Sequence, residues 1–122
     1  MKLVNEKEVY ERVFEAPDVE AGKCPVFSLR KFSMGEVNSI NDQATLGTST
    51  GQIQFLGGTI NKMKIKYALV SWKNVTDENE KEVPCTEENK AKLPPNVAFW
   101  LEKEIDKLNG LREITKEERK NS

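Results

Sequence analysis

Histidine is missing from all 122 residues. Its absence removes the side chain whose charge changes nearest neutral pH, the commonest general base and the commonest zinc or iron ligand. Most hydrolase and metalloenzyme chemistries therefore lose their usual anchor. Cysteine is scarce as well: Cys24 and Cys85, each beside a proline, are the only thiols. Two thiols without histidine cannot complete a tetrahedral zinc shell in one chain. Their wide separation fits two free thiols in a reducing compartment better than a disulfide framework. An excess of either charge is also lacking. Lys and Arg number 19 against 20 Asp and Glu, a net of −1, and the halves divided at Asn61 carry −2 and +1. Neither half has the basic field that holds phosphate backbones, so no nucleic-acid partner is expected. Finally, no apolar run approaches the ~20 residues that span a bilayer. Met1-Lys2-Leu3-Val4-Asn5-Glu6 reaches charge before a signal-peptide core can form. The expectation is a cytoplasmic chain with no membrane partner.

What is present is a foldable mixture, 37% hydrophobic and 32% charged, enough for one domain of ordinary size and too little for two. Glu8 to Ala16 is rich in Val, Tyr and Phe and stops at Pro17-Asp18, while Val26 to Phe32 alternates Phe27 and Leu29 with Ser28 and Arg30. The pair predicts a β-hairpin joined by the Pro17–Pro25 loop, although Val9, Tyr10, Val13 and Phe14 also fit a helical face. Ser33-Met34-Gly35-Glu36 is a Ser-x-x-Glu capping box, which places a helix start there with Met34, Val37 and Ile40 or Asn41 inward. Thr45 to Gln52 has almost nothing to bury, and 45–58 is expected to be a flexible loop.

Between Thr59 and Trp72 two templates compete. Met63, Ile65, Tyr67 and Leu69 alternate with Lys62, Lys64 and Lys66 as in a strand, whereas Ile60, Met63, Tyr67 and Val70 mark one helical face. Length, the Gly57-Gly58-Thr59 start and the Lys-Ala-Leu content favour helix, and Trp72 is core either way. A charged turn over 74–84 leads to a short helical turn begun by Thr86-Glu87-Glu88. Pro95 then opens an amphipathic helix with Val97, Leu101, Ile105 and Leu108 inward and Gly110 as its C-terminal cap. The fold class is α+β in a single domain: an N-terminal β-hairpin and short helix over 1–44, the loop over 45–58, a mainly helical C-terminal half over 59–111 and a polar tail over 112–122.

Motifs of catalysis or ligand binding fail on spacing. Gly47-Thr48-Ser49-Thr50-Gly51 has three residues between its glycines and is followed by Gln52, where a phosphate loop needs four and then Lys-Ser or Lys-Thr. Asp77-Glu78-Asn79-Glu80 lacks the central glycine and closing glutamate of a calcium loop. No carboxylate pair sits in a context that would separate two pKa values. Phe99 is the informative residue. At 100° per residue it falls opposite the Val97–Leu101–Ile105 stripe, beside Glu102, Lys103 and Asp106, where an aromatic marks a partner surface unless Leu93-Pro94 covers it. Leu111 and Ile114 lie beyond the Gly110 cap, and with Phe99 they form the candidate partner-binding set.

From Tyr67 to Ser122 an ordered set of motifs runs Ser71-Trp72-Lys73-Asn74-Val75-Thr76-Asp77-Glu78, Glu82-Val83-Pro84, Thr86-Glu87-Glu88-Asn89, Leu93-Pro94, Leu101, Glu104-Ile105-Asp106-Lys107-Leu108-Asn109 and a terminal Lys120-Asn121-Ser122. This series resembles small proteins encoded in the tail modules of bacteriophages and prophages of Gram-positive hosts, of the tail assembly chaperone type. Lys81 stands where such proteins usually have Gly in the acidic turn. The resemblance implies a non-enzymatic assembly factor in the host bacterial cytoplasm, with no catalytic residue and no cofactor. Its implied partner is the tape-measure protein or another tail protein, and a homo-oligomer is compatible with it. The alternative is a structural virion component such as a head-tail connector or tail-terminator subunit.

Overall fold

The computed structural model describes residues 1–47, 53–55 and 57–110. Strand β1 (Tyr10–Val13) alternates half-buried Tyr10 and Arg12 with exposed Glu11 and Val13, as a strand with one wet face must. It pairs antiparallel with β2 (Val26–Leu29), Tyr10 opposite Leu29 and Val13 opposite Val26. The expected hairpin is therefore present, its connection carrying a 3-10 turn at Ala21–Lys23. Phe27 and Leu29 point inward and are buried.

Helix α1 (Met34–Ala44) starts at the capping box. The Glu36 amide donates to Ser33 Oγ at 3.3 Å and the Ser33 amide donates to Glu36 Oε1 at 3.1 Å, so two amides at the helix start gain acceptors. Ile40 is buried and Val37 packs against the core, but Met34 is exposed and does not join the inner face expected of it. Thr45–Gly47 forms β3 and Ile53–Phe55 forms β4, an antiparallel ribbon within the stretch 45–58 expected to be a flexible loop. Residues 48–52 lie outside the described residues.

Helix α2 (Gly57–Ala68) gives way at once to strand β5 (Leu69–Lys73), so both templates weighed for 59–72 are realised in succession. The all-helical reading is corrected at Leu69. There β2 offers a free edge, and β5 pairs antiparallel with it, Phe27 opposite Trp72, with a bulge near Ser28 and Leu29 that absorbs Val70. The mainly helical half thus supplies the third strand of a sheet ordered β1-β2-β5.

After β5, Thr76 bridges Glu82 across the acidic turn. Trp72 Nε1 donates to the Val83 carbonyl at 2.7 Å and so ties the turn to the sheet. Helix α3 (Glu87–Lys90) is capped by Thr86, whose hydroxyl accepts from the Asn89 amide at 3.2 Å. Helix α4 (Pro95–Asn109) has Pro95 in its first turn and ends at Gly110 in the left-handed region, φ 69°. Val97, Leu101 and Ile105 are buried and Leu108 packs partly against the core.

That core lies between the inner face of the sheet and the helices. Trp100 meets Phe14 edge-on at 5.1 Å and Phe27 at 5.8 Å, joining α4 to β2 and to the residue that follows β1. Asn109 Oδ1 accepts from the Phe32 amide at 2.7 Å and fastens the end of α4 beyond β2. The chain is a single small α+β domain, and among the described residues no helix is long and apolar enough to cross a membrane.

Candidate functional site

Phe99 sits in the second turn of α4, and 62% of its surface is exposed. The Leu93-Pro94 segment does not cover it. A burial pattern with period 3.6 explains the placement: Val97, Leu101 and Ile105 commit one side of α4 to the core, and Trp100 commits the side toward β1. Phe99 is left on the outer face, followed one turn later by exposed Lys103. Glu102 and Asp106, expected beside Phe99, turn instead toward α2, where Lys64 Nζ reaches Glu102 Oε2 at 3.0 Å and Asp106 Oδ1 at 2.8 Å. Burial disfavours the Lys64 ammonium, but hydrogen bonds to Asp106 and Glu102 outweigh it and raise its pKa above the ordinary lysine value. Asn61 Nδ2 donates to the Ala98 carbonyl and to Glu102 Oε1, both at 3.1 Å, completing the α2–α4 junction.

Two open grooves flank the corner between α3 and α4. The first, about 520 Å³, lies between α2, α3 and the start of α4. Its floor is Ile65, Ala91, Leu93 and Ala98, with Lys62 and Lys66 on the α2 rim. Ala98 immediately precedes Phe99, so the aromatic stands beside this groove on the same helix turn. The second groove, about 640 Å³, lies between the acidic turn and the helix corner, lined by Thr76, Asp77, Glu78, Asn89, Leu93 and Pro94 among others. Those six belong to the ordered motifs quoted above, so the fold gathers into one surface what the sequence spreads over Thr76 to Pro94.

The acidic turn itself is closed by Asp77, whose Oδ1 accepts from the amides of Asn79 at 2.8 Å and Lys81 at 3.1 Å. Glu80 takes the left-handed conformation, φ 61°, one residue before Lys81. Asn74, also left-handed, donates from its amide side chain to the Cys24 carbonyl at 3.0 Å and so ties the turn to the hairpin loop. Of the two free thiols, Cys24 is buried, while Cys85 is half-buried and burial pushes its pKa up. Among the described residues no three His, Cys, Asp or Glu side chains come together as a metal site.

Of the candidate binding residues, the structure places Phe99 at the surface beside a groove; Leu111 and Ile114 lie outside the described residues. No residue lining either groove was named from sequence as a binding residue. The one available signal was the Lys62, Lys64, Lys66 series. On a helix it divides, because Lys64 turns to the acids of α4 while Lys62 and Lys66, four apart, share the outer face.

Fold and surface together define a small α+β domain with an exposed aromatic and two open grooves at one helix corner. Comparison with family models, with curated proteins and with solved structures finds no match for this chain.

Proposed function

We propose that the protein is a non-enzymatic tail assembly factor of a bacteriophage or prophage, working in the host bacterial cytoplasm by holding the tape-measure protein before it is built into a tail. The resemblance of Tyr67 to Ser122 to tail assembly chaperones supplies the class of partner. The observation that carries the binding role is Phe99, exposed on a helix whose other large apolar side chains are spent on the core. Exposed aromatics beside a groove are the residues from which interfaces draw much of their energy. Gathering of the resemblance motifs around the second groove gives those residues a common surface as well.

The test is a pull-down of the tape-measure protein by the full chain, its Phe99→Ala variant and an Ile114→Ala variant, with the melting temperature of each. Capture lost at unchanged melting temperature supports the reading, and lost stability with intact capture defeats it. Mass spectrometry of purified virions separates the alternative, because a connector or terminator subunit stays in the particle in ring stoichiometry and an assembly factor does not.

A further inference from the structure

We infer that the groove between α2, α3 and α4 is the docking site for an acidic amphipathic helix of the partner. This inference rests on the reading of the protein as a factor that holds a helical chain, and it names the surface and the charge signature of that contact.

The floor and the rim carry the argument. Ile65, Ala91, Leu93 and Ala98 form an apolar floor in which two alanines leave the space that larger residues would fill. A volume of about 520 Å³ takes a few large apolar side chains, the size of a helix's i, i+3, i+4 and i+7 anchors. The charges around it do not cancel evenly. Glu87 is held by Lys90 at 2.9 Å and Glu88 by Lys92 at 3.6 Å, so both glutamates in the lining already have their cations. Among the described residues no carboxylate pairs with Lys62 or Lys66. Lys66 lies over the ring of Tyr67, 6.0 Å from its centroid. Spaced four residues apart on the exposed side of α2, the two ammonium groups make one row along the groove edge. A partner helix with leucine-like anchors in the floor and Asp or Glu along that edge satisfies both features, whereas a basic helix meets two uncompensated like charges.

Two synthetic peptides of about 18 residues, with leucines at the i, i+3, i+4 and i+7 positions, test this. One carries Glu along the flanks and the other Lys at the same places. Binding to the full chain is read by fluorescence anisotropy and the site by backbone amide shifts. The Glu peptide should bind, shift the amides of Ile65, Ala91 and Ala98, and lose about tenfold in affinity to the Lys62→Glu, Lys66→Glu double variant. Ala91→Trp, which fills the groove, should abolish binding while the melting temperature holds. The inference is overturned if the Lys peptide binds as well as the Glu peptide, if neither binds, if the shifts map elsewhere, or if the double variant or the filled groove binds normally. The tape-measure pull-down separates the two claims. Capture that survives the double variant but not Phe99→Ala overturns the groove and leaves the assembly reading standing. A Glu peptide seated in the groove of a protein that captures no tape-measure protein leaves the groove standing and overturns the assembly reading.

Discussion

Leu101 has no exposed surface at all, and it belongs to the buried cluster that β2, α2 and α4 share. A leucine so placed cannot be shortened without leaving a void. Leu101→Ala should lower stability by about 2–5 kcal/mol in urea titrations, and a loss below about 1 kcal/mol would show that α4 packs less tightly than its burial indicates. Glu36 tests a different force. Its carboxylate takes two hydrogen bonds from the Arg30 guanidinium, one of them at 2.9 Å from Nη1 and the other from Nη2. Those bonds first, and the Ser33 amide after them, hold its pKa below the usual glutamate value against the opposing effect of burial. A carboxylate whose pKa is lower in the folded chain contributes stability above its unfolded pKa, about 4.3, and loses it as pH falls through the folded value. The stability gap between the native chain and Glu36→Gln should accordingly be constant from pH 7 to about 5 and close steadily below pH ~4.3. Urea midpoints measured across that range check it, and a gap unchanged at pH 3 would mean that Glu36 titrates alike in both states.

At the scale of elements, the acidic turn shows what local chemistry can and cannot specify. Asp77 closes it through the amides of Asn79 and Lys81, a side-chain role that short polar residues take readily. Glu80 pays for that closure with a left-handed backbone, φ 61°, which costs a residue with a Cβ about 1–2 kcal/mol. Glu80→Gly should therefore raise the melting temperature, by an amount worth about 1 kcal/mol, whereas Lys81→Gly should not. The reverse ranking would place the strain at Lys81. Local signals of this kind made much of the fold legible: the capping box at Ser33, the N-cap at Thr86, Pro95 in the first turn of α4 and Gly110 past its end each act within four residues. The junction at Ala68-Leu69 was not legible, because its change from helix to strand answers to the free edge of β2, some forty residues away in the chain. Thr45–Gly47 has too little apolar content to announce a strand, although its partner Ile53–Phe55 is close by in the chain. Of the candidate site, Phe99 was readable from the helical wheel alone. The groove beside it was not, since it exists only where α2 and α3 meet α4.

For the molecule as a whole, the decisive feature is that neither half is complete. The central strand β2 comes from the hairpin, yet one of its two neighbours, β5, comes from the half expected to be helical. Phe27 is enclosed by Trp72 of β5, edge-on at 6.3 Å, and by Trp100 of α4 at 5.8 Å. Phe32 and Asn109 are joined by a hydrogen bond across the whole domain. Removing the C-terminal half would strip Phe27 of Trp72 and Trp100 and leave a two-stranded hairpin with one short helix, and a hairpin of two strands is marginal in water. The two halves should therefore fold as one unit. The tryptophans supply separate reporters, since Trp72 belongs to the sheet and Trp100 to the helix packed on it. In the single-tryptophan variants Trp72→Phe and Trp100→Phe, the remaining tryptophan's fluorescence and the far-UV circular dichroism should give one coincident urea midpoint within each protein, the signature of a two-state domain. A sheet reporter that melts apart from the helix reporter would instead divide the chain near Ala68, and the α2–α4 groove would then be free to open without loss of the hairpin. Coincidence has the opposite consequence for binding. A helix seated in that groove would stabilise the sheet as well as α2 and α4, because those two helices share one buried core with β2.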